Sequence, residues 1–63
     1  MNTNNQILLE NLSIYFKSAE KQIDYADYEL NQEGIDTSKL KEAKKLLQEQ
    51  FKETQKTLQE REN

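Results

Sequence analysis

Apolar residues recur at alternating steps of three and four along the first half of the chain: Leu9, Leu12, Phe16, Ala19, Ile23, Ala26 and Leu30. A mean spacing of about 3.5 residues keeps all seven on one side of an α-helix, and three unbroken heptads predict a seam packed as in a coiled coil. Small Ala19 and Ala26 let a neighbouring helix come close. In the second half, Leu40, Ala43, Leu47, Phe51, Thr54 and Leu58 follow at about 3.6 residues, the period of a straight amphipathic helix, and Leu46 is expected to widen that stripe.

Between the two patterns stands Gly34, the one glycine of a chain that has no proline. A lone glycine there predicts a left-handed residue closing the first helix. Thr3-Asn4-Asn5-Gln6 fits a capping box at its start, and Asp36 is expected to cap the second helix, with Ile35 and Leu40 forming a hydrophobic staple. The reading is one domain spanning residues 1–63: helix 1 over about 4–32, a turn over about 33–36 and helix 2 over about 37–61. A connection this short makes the helices antiparallel neighbours. The expected fold class is therefore all-α, a two-helix antiparallel hairpin of coiled-coil type that dimerises into a four-helix bundle. Asp24, Asp27, Glu29 and Glu33 would lie beside Lys39, Lys41, Lys44 and Lys45, and these exposed pairs set orientation more than stability.

Helix 1 carries more apolar residues than one seam uses. Ile7, Ile14, Tyr25 and Tyr28 project away from the seam, and Leu8 and Tyr15 flank it. Those six residues are the candidate oligomer or partner interface, since contiguous exposed apolar surface marks association sites and tyrosine is enriched among interface anchors.

Composition narrows the function. A chain of 63 residues is marginal as a lone fold, and small folds are stapled by disulfides, a metal or association. With no cysteine and no histidine, association is the staple that remains, and thiol or imidazole chemistry and zinc sites are excluded. Carboxylates do cluster, at Glu20, Asp24 and Asp27 and at Glu49 and Glu53, but helical-bundle metal sites use Glu-x-x-His ligands, so these are read as solvated surface. Ser13, Ser18 and Ser38 have no base to activate them. No catalytic residue, cofactor site or metal site is expected.

No apolar run approaches the roughly 20 residues that cross a bilayer. The polar start Met1-Asn2-Thr3-Asn4-Asn5 has no secretory pattern, so the expected location is cytoplasmic, with no membrane partner. A net charge of −3 disfavours general contact with nucleic-acid phosphate. The sequence thus points to a protein-interaction module, a small regulator or adaptor that binds itself, as a dimer first of all, and a second protein. Two alternatives stand beside it: a structural element of a phage or plasmid assembly, and a nucleic-acid accessory factor using Lys41, Lys44, Lys45, Lys52 and Lys56 of helix 2.

Overall fold

The two apolar periods fold as two helices packed against each other. A computed structural model describes residues 3–61, with α1 at Thr3–Gln32 and α2 at Ser38–Glu60 and no strand among the described residues. Contacts between the helices run in opposite senses along the chain. Lys44 Nζ lies 2.9 Å from Asp24 Oδ1, Gln48 Nε2 donates to Glu20 Oε1 at 2.6 Å, and the rings of Phe51 and Phe16 meet with centroids 5.4 Å apart at 50°. Toward the open end, Asn5 Nδ2 donates to the Leu58 carbonyl at 3.4 Å. Numbers fall on α1 as they rise on α2, so the pair is antiparallel.

The connection between the helices is built from backbone hydrogen bonds. Gly34 adopts φ 71°, its N–H donates to the Asn31 carbonyl at 3.0 Å, and the Ile35 N–H reaches back to the Leu30 carbonyl at 3.0 Å. Those two bonds around one left-handed residue make a Schellman motif, which satisfies carbonyls that the end of α1 would leave orphaned.

Two expected helix starts are corrected. Asp36 is not the N-cap of α2, because Thr37 occupies that position, with φ −118° and no side-chain capping bond. Asp36 instead bridges forward one residue early: its carboxylate accepts from the Ser38 N–H at 3.2 Å and from the Ser38 hydroxyl at 2.8 Å. The Thr37 hydroxyl turns away from the helix toward Asn31 Oδ1, 3.4 Å distant, and is buried there. This one-residue shift takes Ile35 and Leu40 out of staple register, and Ile35 is left 49% exposed. At the other start, Thr3 is already helical, so the capping box does not begin α1 there, and the residue before it lies outside the described residues.

All seven seam residues of α1 and all six stripe residues of α2 are withdrawn at least partly from solvent. Leu46 is the exception to the expected stripe. It stands 56% exposed, because it precedes Leu47 by one residue and therefore points about 100° away. Withdrawal is shallow elsewhere too: among the apolar side chains of the described residues only Leu9 and Leu58 are buried, and none is completely so. The Cα trace measures 49 × 16 × 7 Å with a radius of gyration of 15.0 Å, against about 11 Å for a compact domain of this length. Two helices side by side make a layer with no second layer to close it.

Candidate functional site

The six residues singled out as an interface all face solvent. Their exposure runs from 43% at Leu8 to 66% at Tyr28, with Ile7, Tyr25, Ile14 and Tyr15 between. Each was displaced from the first seam by helical periodicity alone, since the packing of α2 on one side of α1 leaves the other sides open.

Placed in order, the outward residues of α1 show a second regularity. Ile7, Asn11, Ile14, Ser18, Lys21, Tyr25 and Tyr28 step alternately by four and three, and every one is exposed. This is another heptad seam, about 160° round the helix from the first and roughly 32 Å long. Its two ends are apolar, isoleucines at one and tyrosines at the other, and its middle is polar. The Lys21 ammonium leans along it toward the tyrosine end, 5.9 Å from the centroid of the Tyr25 ring, within cation–π range.

The two long edges of the hairpin differ. One is polar and cross-linked: Asp24 holds Lys44, Glu20 accepts from Gln48, and an open groove of about 270 Å³ runs over Phe16 and Phe51 between Ser13 and Gln48. Lys44 is held protonated to a higher pH than usual, first by its hydrogen bond to the Asp24 carboxylate and then by the surrounding negative charge. Of the expected acid–lysine ladder, Asp24–Lys44 alone closes to ion-pair distance among the described residues. On the other edge lie Leu8, which shares an open groove with Gln50 and Thr54 of α2, Tyr15 one heptad further along α1, and Leu46 one turn before Gln50 on α2, nearer the connection. Apolar surface therefore continues from this edge round to the second seam.

Leu46 and Thr37 are the positions that the sequence reading misplaced, the one in the buried stripe and the other inside α2 rather than at its cap. Leu46 had a usable signal, its one-residue offset from the 3.6-residue stripe. Thr37 had none, because Asp36 and Thr37 are both good capping residues and only the tertiary contact with Asn31 separates them.

Chemical machinery is sparse. Among the described residues no three acidic side chains are grouped to hold a metal ion. Glu20 and Asp24 are engaged across the hairpin, and Asp27 accepts from Asn31 Nδ2 at 2.9 Å. Asp36 is held below the usual carboxylate range by the Ser38 hydroxyl and the Ser38 N–H, a turn interaction. Lys44 has left the expected lysine stripe to bind α1, and Lys41, Lys45, Lys52 and Lys56 stay exposed. No helix among the described residues is long and apolar enough to cross a membrane.

Fold and surface together define the class: a helical hairpin with one heptad seam used internally and a second one open to solvent. No family model, curated protein or solved structure matches the chain.

Proposed function

We propose that the protein is a non-enzymatic interaction module of the cytoplasm, a small regulator or adaptor that self-associates and acts by binding another protein. The observation that carries this reading is the exposure of Ile7, Leu8, Ile14, Tyr15, Tyr25 and Tyr28 on a fold with almost no interior of its own. Covering one large apolar side chain is worth roughly 1.5–3 kcal/mol. Burying several of these in an oligomer thus supplies stabilisation that two thinly packed helices lack, and the hairpins stack naturally into a four-helix bundle. The charged outer face of α2 would remain outside such an assembly, available to the second protein.

Sedimentation equilibrium over a wide concentration range, with circular dichroism melts on the same samples, tests the reading. A helical dimer or tetramer whose Tm rises with concentration supports it. A well-folded monomer at every concentration removes self-association from the proposal.

A further inference from the structure

We infer that the second seam of α1 is the dimer contact and that a second copy of the chain packs on it with its α1 antiparallel, an orientation set by Lys21. The inference rests on the association reading above and adds the face, the occupant and the direction.

Area and period argue for the occupant. The folded chain exposes 5150 Å², about 900 Å² more than the roughly 4,200 Å² expected of a compact protein of its mass. A standard interface removes about 800 Å² from each partner. A seam of period 3.5 is satisfied by another helix carrying the same period, because knobs of one must find holes of the other along the whole length. Helix α1 of a second copy has that period, the same length and the same free face. Helix α2 has no comparable stripe outside the hairpin, since Lys45, Glu49, Lys52, Glu53 and Lys56 cover its outer side.

Direction follows from the composition of the seam. Parallel, in-register helices would set Lys21 against Lys21 in the middle of the contact, two like charges in one layer. Antiparallel helices pair the layers differently. Both antiparallel registers that overlap the seam most fully set Lys21 against the partner's Asn11 or the partner's Ser18, each able to accept a hydrogen bond from the ammonium. The first register sets Tyr25 against the partner's Ile7, so apolar meets apolar at both ends, whereas the second sets Tyr25 against the partner's Ile14 but Tyr28 against the partner's Asn11. A polar residue within a heptad seam is a known determinant of register and oligomer state, and here the charge of Lys21 is placed best beside the neutral polar members Asn11 and Ser18. Leu8 and Tyr15 would form one rim of the contact.

Disulfide trapping of the full chain, which has no cysteine of its own, tests direction, and sedimentation equilibrium tests face. Tyr25→Cys oxidised alone should give little covalent dimer, whereas a mixture of Tyr25→Cys with Ile7→Cys or with Ile14→Cys should couple readily. Lys21→Leu should tighten the dimer at least tenfold and should allow Tyr25→Cys to couple with itself. Ile14→Gln should weaken association at least tenfold, while Leu46→Gln, outside the seam, leaves it unchanged. Efficient self-coupling of Tyr25→Cys with Lys21 in place overturns the antiparallel contact. A dimer indifferent to both Ile14→Gln and Lys21→Leu overturns the choice of face but leaves self-association standing. A monomer at all concentrations overturns both.

Discussion

Gly34 shows how much one residue can be asked to do in a chain this size. An added Cβ would meet no atom within 4 Å, so a substitution there is resisted by backbone conformation alone. Gly34→Ala should destabilise the fold by about 1–2 kcal/mol, the cost of a left-handed L-residue, and Gly34→Asn by less, as asparagine tolerates that region. Urea midpoints at one fixed protein concentration would measure both. Asp36 makes a different contribution, through hydrogen bonds to its ionised form. Its folded-state pKa lies below the ordinary 3.8, so the unfolded chain takes up the proton first as pH falls. The stabilisation is therefore present above 3.8 and is lost as pH drops through the lower folded value. The gap in urea midpoint between the wild type and Asp36→Asn should stay constant from pH 7 to about 5 and close in stronger acid. Lys44 works in the opposite sense: its raised pKa preserves the tie to Asp24 at neutral pH and releases it only as pH rises beyond the usual 10.5.

At the level of the element, the two helices differ in kind. Helix α2 is amphipathic in the ordinary way, with one apolar stripe and one charged side. Helix α1 has apolar residues on opposite sides, and over Ile7 to Phe16 it is greasy nearly all the way round, a composition typical of buried helices. Leu9 and Leu58 bury most deeply, near the open end of the hairpin, where no turn holds the helices together. Leu9→Ala or Leu58→Ala should each cost about 2–3 kcal/mol, whereas Leu46→Ala should stay within about 0.5 kcal/mol, read from thermal melts at matched concentration. These elements also show what sequence can convey. Both helices and their facing seams were legible because burial imposes a period on every residue from Leu9 to Leu58. The start of α2 was not, because Asp36 and Thr37 compete for one position and the winner is decided by Asn31, six residues upstream. The outward apolar residues were legible as a surplus, but their order as a seam shows only when the polar members Asn11, Ser18 and Lys21 are counted with them.

Taken whole, the molecule is a strip two helices wide and one thick, and its longest dimension is its most regular. Under the proposed self-association, concentration becomes a variable in any measurement of its stability. Doubling or halving the protein should move Tm, and a variant should be compared with the wild type only at equal molarity. The short connection, closed by the Gly34 and Ile35 hydrogen bonds, has its own kinetic meaning. It holds each helix in the presence of the other at an effective concentration in the millimolar range, so α1 meets α2 through its first seam before its second seam can find another chain. A single proteolytic cut between Gly34 and Asp36 would abolish that order of events. The two halves would have to meet by diffusion, and each freed α1 could offer either seam to any helix it encountered.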